Sequence, residues 1–407
     1  MDRRFFLRGA ALVGCSAAAH PWLTTVTLAA GEGNQLGDNR LVVVILRGAM
    51  DGLDVLRPVG DASFAAYRPT LLDGKGSDGK GSALDGFFDL HPALARLMPL
   101  WDAGELGFVH ATSTPYRDKR SHFDGQDMLE AGTGMDVPLS TVRDGWLNRM
   151  LGTVPGLRAE TAFAVGQEAI PLLEGPVPVM TWAPEQNLQL SAQSRLLLEN
   201  VYHDDPLFRA AAGEAMELSD MLGEASMSEG MAPAKRGQGD GFADIDRLVD
   251  FAAARLRDQT RIATFSLSGW DTHKGQKDAI AKPLARLERV ILRMKDQMGG
   301  AVWGKTLVLC MTEFGRTARE NGTSGTDHGT AGAMVMAGGA LKGGRVFGRW
   351  PGLEEAALYD RRDLMPTSDV RSWAAWAMRG MYGLDKGLLQ DTVFPGLLMD
   401  PDPGFLV

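Results

Sequence analysis

The chain has 407 residues, of which 44% are apolar and 23% charged, and this composition excludes a disordered chain, a coiled coil and a collagen-like fibre. The net charge of -9 argues against a nucleic-acid-binding protein, because neutralising phosphates requires a basic face. The 2 cysteines, Cys15 and Cys310, exclude a disulfide framework and a zinc site built from cysteines.

Residues 1–30 have the pattern of an export signal and are set apart from the fold. Arg3 and Arg4 form a twin-arginine pair ahead of an apolar, alanine-rich stretch that His20 and Pro21 interrupt. This stretch is too short for a membrane span, which needs about 20 residues. The pattern predicts export by the twin-arginine route to the periplasm or the extracellular space. The alternative, an amphipathic first helix, lacks a polar face at helical spacing.

The stretch Leu12-Val13-Gly14-Cys15 also fits a lipoprotein cleavage box. In that case Cys15 would carry a lipid anchor, which would be the protein's one means of membrane attachment. The alternative is a chance cysteine in an apolar stretch.

The first half of the chain alternates short apolar runs with loops. The run Leu41–Leu46 is typical of a strand buried on both faces. The Gly-rich stretch 73–86 predicts a solvated loop, and 224–241, which has no periodicity, predicts a surface loop or insertion. Between them we predict a short helix over Pro92–Trp101, a short strand over Gly107–His110, a helix that begins at Ser121, and a strand over 161–166.

The second half shows the clearest alternation of helices and strands. Amphipathic helices are predicted over Phe242–Thr260 and Lys282–Gln297, and each precedes a strand, Ile262–Leu267 and Thr306–Met311 respectively. This order predicts right-handed crossovers and an α/β fold, with a mainly parallel central sheet and helices on both faces. Such a sheet places its active site just beyond the carboxyl ends of its strands.

Three predicted strands are each followed by an acid: Asp51, Asp271 and Glu313. Asp271 and His273 are separated by one residue, so in extended geometry both side chains point the same way and can bind one ion. His328 follows Asp327 in the Gly-rich loop GTSGTDHGTAG, where the backbone bends freely. We favour metal binding by these residues over the alternative of ordinary hydrogen-bonded histidines.

The segment Arg120-Ser121-His122 is a second candidate. Ser121 has the chemistry of a helix N-cap, and its sharper role is a nucleophile whose acidity is increased by a metal and by the helix end. We take Ser121, His122 and Arg316 as the candidate catalytic residues. Arg47 and Arg120, with Arg316, could bind the oxygens of a phosphate or sulfate, although such arginines alone more often form salt bridges.

Several blocks together resemble the exported bacterial family named domain of unknown function 1501, in the family's order from about residue 40 to 380. The blocks are RGAMDGLDVL, HPALARLMPLWDAGELGFVHA, RSHFDGQDMLEAG, FSLSGWDTH, TEFGRTARENGTSGTDHGTAGAMVMAGG and RDLMPTSDVR. That family is grouped with the alkaline phosphatase/sulfatase-like superfamily. The resemblance implies a single α/β domain over 38–407 that carries metal and hydrolyses phosphate or sulfate esters.

The resemblance also implies residue roles. The first metal-binding acid resembles Asp51, the nucleophile resembles Ser121, and a later acid and histidine resemble Asp271 and His273. The superfamily's Asp-His-Gly motif matches Asp327-His328-Gly329 by letters, but Glu313-Phe314-Gly315 by its place after a strand. We prefer the second alignment, which groups His328 with Asp271 and His273. It replaces a histidine of the second metal position by Phe314.

These observations support two hypotheses. The first is an exported hydrolase of phosphate or sulfate esters that uses a divalent metal and a metal-activated serine, with a small anionic ester or an anionic glycan as substrate. The second is a non-catalytic metal- or anion-binding protein of the periplasm that assists envelope or polysaccharide assembly. Asp51, Asp271, His273, Glu313, Asp327 and His328 are the candidate ligands, and such a set suits zinc, manganese, magnesium or calcium.

Overall fold

The computed structural model describes residues 36–72, 81–117, 119–137, 142, 144–166, 170–183 and 242–407. Within these ranges the chain forms a nine-stranded central sheet and a three-stranded small sheet. The central sheet contains β1 (Arg40–Arg47), β5 (Leu106–Ser113), β6 (Ala162–Val165), β7 (Met180–Trp182), β8 (Ile262–Ser268), β9 (Thr306–Met311), β10 (Gly332–Ala337), β11 (Arg345–Phe347) and β12 (Ser368–Asp369). The small sheet contains β2 (Leu56–Arg57), β3 (Ser82–Ala83) and β4 (Asp89–Leu90).

Helical segments connect the strands in the described ranges. The α-helices are α1 (Gly52–Val55), α2 (Phe64–Tyr67), α3 (Met98–Asp102), α4 (His122–Ala131), α5 (Trp146–Gly152), α6 (Ala243–Arg257), α7 (Gln276–Ala279), α8 (Ala281–Trp303), α9 (Val370–Tyr382) and α10 (Lys386–Leu388). Short 3₁₀ turns lie at Pro92–Leu97, Ala159–Thr161, Pro171–Leu173 and Glu355–Ala357, and a π-helical turn lies at Leu389–Val393.

The central sheet is mixed but mostly parallel, and this confirms the predicted α/β class. Its strand order is β11-β5-β10-β9-β1-β8-β6-β7, and β12 pairs with β5. β1 runs parallel to β8 and β9, whereas β10 is antiparallel to β9 and β5. The three strands predicted to be interior, β1, β8 and β9, each have a neighbour on both sides.

The composition of β1 explains its central place. Leu41 lies beside Ile262 of β8 and Leu307 of β9, and every residue from Arg40 to Leu46 is buried. A strand that is apolar on both faces must be covered on both faces. Two groups of helices contact the sheet: α6 and α8 pack against each other, while α5 and α9 pack against the Leu389–Val393 turn. We infer that these groups form the two predicted layers.

Several predicted bounds differ from the observed ones. Helix α6 ends at Arg257 rather than Thr260, because Asp258 leaves the helical region at φ -101° and ψ -126°. Helix α8 breaks at Gly299 (φ 70°, ψ 162°), close to the predicted end at Gln297, and a further helical turn then runs to Trp303. The predicted loop 73–86 contains β3, which pairs with β4. Residues 1–30, 73–80 and 224–241 lie outside the described residues.

The direction of β10 positions the site. Because β10 runs against β9, its first residue, Gly332, lies at the same edge of the sheet as the carboxyl ends of β1, β8 and β9. The loops that follow these three strands therefore meet the loop that precedes β10. Among the helices described, none combines the length and apolar composition needed to span a membrane.

Candidate metal centre

Four side chains converge at this edge, and we call them the histidine cluster: His122, Asp271, His273 and His328. The carboxylate oxygen Oδ1 of Asp271 lies 3.4 Å from Nε2 of His122, 3.0 Å from Nε2 of His273 and 3.2 Å from Nε2 of His328. The Nε2 atoms of His273 and His328 are 2.9 Å apart. The ligand atoms of His122, Asp271 and His328 all lie within 4.8 Å of one another.

The four members come from three segments of the chain. His122 is the first residue of α4, which begins after the N-cap Ser121. Asp271 and His273 follow β8, and His328 precedes β10.

The glycines of the 321–332 loop permit this approach. A Cβ on Gly325 would lie 2.3 Å from the backbone carbonyl of His273, and one on Gly329 would lie 2.4 Å from the carbonyl of Arg316. Real side chains do not tolerate such distances, so glycine at both positions lets the loop lie against its two neighbours. The glycines of this loop therefore allow its backbone to pack closely against the neighbouring loops, which brings His328 into the cluster.

The Nδ1 atom of each imidazole faces an acceptor outside the cluster. His122 Nδ1 lies 2.7 Å from Glu313 Oε1, His273 Nδ1 lies 3.2 Å from Asp327 Oδ1, and His328 Nδ1 lies 2.8 Å from the Arg120 carbonyl. Carbonyls and carboxylates only accept hydrogen bonds, so each Nδ1 carries the proton. In the neutral ring, Nε2 then presents a lone pair towards the cluster.

The contacts of the Nε2 atoms agree with this assignment. Nη1 of Arg316 lies 3.4 Å from His273 Nε2, and a guanidinium can only donate. Nε2 of His122 is buried and, within the described residues, has no hydrogen-bond partner. With all three Nε2 atoms unprotonated, three lone pairs and the Asp271 carboxylate face one another, an arrangement that a bound cation or a proton on one Nε2 relieves. Their separations resemble those of ligand atoms around an ion with bonds of about 2.0–2.2 Å.

The residues behind the imidazoles fix their orientation. Glu313 is fully buried, and its Oε1 also accepts from the backbone N–H groups of Gly48 and Ala49 at 3.0 Å each. Gln126, one turn of α4 after His122, donates to the same oxygen at 3.2 Å. A carboxylate that orients a ligand histidine through Nδ1 is a recurrent feature of metal sites.

Phe314 forms an apolar wall beside two of the imidazoles. Its ring stacks on His122 at 5.2 Å between centroids and 21° between planes, and lies 5.2 Å from the ring of His328. Phe314 is the residue that replaces a histidine in the preferred alignment. Here it packs against two imidazoles of the histidine cluster and offers no ligand atom.

Burial and hydrogen bonding set the titration of the cluster. Burial raises the pKa of Glu313, but hydrogen bonds from His122 and Gln126 outweigh burial and hold this pKa below its ordinary value. The hydrogen bond to Glu313 is the largest cause that raises the pKa of His122. Burial lowers the pKa of His328. Protons therefore compete with a metal ion for His122 more strongly than for His328.

Arg316 places a permanent positive charge against the cluster. Its side chain has 0% exposure, and Nη2 donates to Asp271 Oδ1 at 2.8 Å and to the Trp270 carbonyl at 3.2 Å. Burial raises the pKa of Asp271, but the opposing causes, of which the charge of Arg316 is the largest, outweigh it and keep that pKa low. Asp271 is thus ionised and fixed in direction, although its side chain is 46% exposed.

Asp51 is not a member of the histidine cluster, but Gln276 links it to the loops that carry the cluster. Its Oδ2 is bound by Arg68 at 2.5 Å and by Gln276 Nε2 at 2.6 Å, in surroundings where Asp51 is only 1% exposed. Oε1 of Gln276 accepts from the hydroxyls of Thr272 and Thr326 at 2.9 and 2.6 Å. Gln276 therefore ties Asp51 to the two loops that carry Asp271, His273 and His328.

The remaining candidates have structural partners. The hydroxyl oxygen of Ser121 accepts from the Asp124 N–H at 3.4 Å, which is the N-cap role. Nη1 of Arg47 contacts Glu130 Oε1 at 2.8 Å. The guanidinium of Arg120 lies 3.8 Å from Asp363, while its carbonyl holds His328.

Sequence reasoning missed three residues of the site and the place of a fourth. Gln126, Gln276 and Arg68 position the ligands, and His122 lies among the ligand atoms rather than beside Ser121 as a catalytic partner. One signal was present in the sequence: the four-residue spacing of His122 and Gln126 puts both on one face of a helix.

Three comparisons relate the chain to known proteins. A family model described as "Protein of unknown function (DUF1501)" matches residues 114–371, a stretch that includes the whole histidine cluster. A solved structure titled "Crystal structure of Ps i-CgsB in complex with k-i-k-neocarrahexaose" is similar with a TM-score of 0.37 and 9% identity, over 88% of this chain and 74% of that chain. No curated protein matches.

Proposed function

The chain belongs to the DUF1501 family, and from the histidine cluster inside the matched stretch we propose that it is a metal-dependent hydrolase of phosphate or sulfate esters. The alkaline phosphatase-like architecture and export to the periplasm are parts of the same proposal. Both rest on the sequence resemblance and on the twin-arginine segment.

One observation carries the proposal: three imidazoles hold their protons on Nδ1 and direct Nε2 towards the carboxylate of Asp271. Without a cation this arrangement is repulsive, so its geometry fits a divalent ion bound by His122, Asp271, His273 and His328. Three nitrogens and one oxygen suit zinc better than manganese, magnesium or calcium, which favour oxygen ligands. When bound, the ion would supply Lewis-acid polarisation of an ester oxygen.

The chain's own residues supply the rest of the site. The side chains of Asp271 and His273 are 46% and 43% exposed, so a ligand from solvent can reach the cluster. Arg316 adds positive charge behind Asp271, and Arg120 and Arg362 add it beyond His328. An anionic group is the ligand that such a charge distribution attracts. Ser121 precedes His122 at the N-terminus of α4. To act as a nucleophile, its hydroxyl would have to give up the N-cap hydrogen bond from the Asp124 N–H.

The experiment combines metal analysis with turnover. We expect the purified, zinc-loaded protein to retain zinc through gel filtration and to hydrolyse an aryl phosphate or an aryl sulfate. Asp271→Asn should lose both properties, because it removes the charged ligand that all three imidazoles face. The matched control is Asp296→Asn, which makes the same change at an exposed position of α8 and should keep both properties.

A second candidate function is favoured by the cap contact of Ser121. If that hydroxyl keeps its N-cap role, the protein binds metal and anions without covalent catalysis. Retention of zinc without turnover of either ester, unchanged in Ser121→Ala, would favour this non-catalytic function. Loss of turnover in Ser121→Ala with zinc retained would favour the hydrolase.

A further inference from the structure

The carboxylates around the site are already bound by the protein's own cations. Arg68 binds Asp51 at 2.5 Å, and both side chains are 1% exposed. Arg316 binds Asp271 at 2.8 Å with a side chain that is 0% exposed. Guanidinium groups stay charged at every physiological pH, so neither pair opens by loss of a proton.

Glu313 is equally occupied. Its Oε1 accepts from two backbone N–H groups, from Gln126 and from His122, and its Oε2 contacts the Thr312 hydroxyl at 2.9 Å. A carboxylate has about four lone-pair directions, and those of Oε1 are filled by donors. Asp51 and Glu313, the acids that a second metal position would need, each have one oxygen filled by several donors and one with a single partner, Leu53 N–H for Asp51 Oδ1 and the Thr312 hydroxyl for Glu313 Oε2. Both acids are at most 1% exposed, so neither is open to an ion from solvent.

We propose that the site is mononuclear, with the buried guanidinium of Arg316 standing as its fixed second cation. This inference rests on the proposed metal site and states its stoichiometry and charge. One exchangeable divalent ion binds the histidine cluster, and Arg316 neutralises Asp271 through Oδ1, the same carboxylate oxygen that faces the imidazoles. Arg68 does the same for Asp51 and removes that acid from metal binding.

The fixed cation has a consequence for affinity that a purely structural arginine would lack. Arg316 Nη2 lies 2.8 Å from the Asp271 oxygen that faces the imidazoles, so it stands close to any ion bound there. Two positive charges at this range repel strongly even at an effective dielectric constant of about 20. Arg316 therefore weakens metal binding while it fixes the direction of Asp271.

The first test is the zinc stoichiometry of the full chain by native mass spectrometry and isothermal titration calorimetry. We expect one zinc ion per chain. Two ions per chain would overturn the mononuclear inference and leave the proposed function standing. No bound ion would overturn the proposed function and this inference with it.

The second test separates charge from support by comparing Arg316→Gln with Arg316→Lys. Gln keeps a donor for Asp271 but removes the charge, so zinc should bind at least about tenfold more tightly than in the Lys variant. Equal or weaker binding by the Gln variant would overturn the role of Arg316 as a cation. If either variant fails to fold, the stoichiometry of the natural chain still decides the inference.

Discussion

Glu313 shows how one buried side chain organises the site. It accepts a hydrogen bond from Nδ1 of His122 and is itself fixed by two backbone N–H groups, by Gln126 and by the Thr312 hydroxyl. Because five groups of the protein hold this carboxylate, it can act as an orienting partner for His122 and not as a ligand in its own right. The direction of the His122 lone pair then depends on an acid that never contacts a ligand from solvent.

We predict that Glu313→Gln keeps the fold and lowers zinc affinity by about 10- to 100-fold, the usual cost of losing a carboxylate behind a ligand histidine. The amide oxygen still accepts from His122, but the negative charge that raises the pKa of His122 is gone. The imidazole of His122 should therefore titrate at a lower pH, as NMR of the metal-free protein would measure. Glu288→Gln, a buried acid on α8 that pairs with Arg96, is the control. Unchanged zinc affinity in Glu313→Gln would contradict this role.

His110 makes stability depend on pH at a place remote from the cluster. Its ring is 5% exposed, stacks on Phe88 at 5.1 Å and meets the edge of Trp350 at 5.4 Å. Burial lowers the pKa of His110 to about 4. Above the unfolded-state pKa of about 6.5, the residue is neutral in both states and its contribution is complete.

As the pH falls through 6.5, the unfolded chain binds a proton that folded His110 refuses, so the free energy of unfolding decreases until about pH 4. We predict a loss on the order of 3 kcal/mol at most, from about 1.4 kcal/mol per pKa unit. Urea unfolding at several pH values should show a shallower pH dependence for His110→Phe than for the natural chain. Parallel curves would contradict this assignment.

At the scale of elements, sequence patterns specify strands more completely than they specify strand directions. The continuous β-branched run predicted the position of β1, because a strand that is buried on both faces is apolar throughout. The positions of α6 and α8 could be predicted from apolar residues at helical spacing, because only one face of each helix is buried. The direction of β10 was not predictable, since an apolar run of six residues is the same read either way. That direction decides that His328 reaches Asp271.

The same limit applies to the site. Asp271 and His273 could be paired from their spacing, because positions two apart in an extended chain share a side. The burial of Asp51 against Arg68 and Gln276 could not be predicted, since it depends on which loops pack beneath the strand ends. Only a tertiary structure separates an acid that faces solvent from one that is already bound by an arginine.

The 321–332 loop gives a prediction at this scale. Gly325→Ala would place a Cβ 2.3 Å from the backbone of His273, so the two loops of the cluster should separate. We expect zinc affinity to fall by at least about tenfold, with a lower melting temperature. The control is Gly322→Ala in the same loop, where a Cβ meets no atom within 4 Å. Equal zinc affinity in the two variants would show that the close approach does not matter.

At the scale of the whole molecule, the histidine cluster draws on both halves of the chain. Helix α4 supplies His122, and the loops after β8 and before β10 supply the other ligands, so the cluster forms only when the central sheet is assembled. A protein exported in the folded state would carry this site complete across the membrane. Export in the folded state, which the twin-arginine segment predicts, would therefore suit a site that forms only in the assembled fold.

We predict that replacing both Arg3 and Arg4 by Lys leaves the precursor in the cytoplasm, because the arginine pair is the feature that the export machinery reads. Cell fractionation with an antibody against the C-terminal part of the chain would measure the distribution. Arg8→Lys, in the same segment but outside the pair, should export as the natural chain does. Normal export of the double variant would contradict a twin-arginine signal.

The measurement that tests the account most directly is zinc X-ray absorption spectroscopy on the zinc-loaded full chain. The histidine cluster predicts a first shell of three nitrogens and one oxygen at about 2.0–2.2 Å, with the outer scattering pattern of imidazole rings. His328→Ala should remove one imidazole from that pattern. A shell of oxygens without imidazole scattering, or a protein that retains no zinc, would contradict the assignment of this cluster as the metal centre.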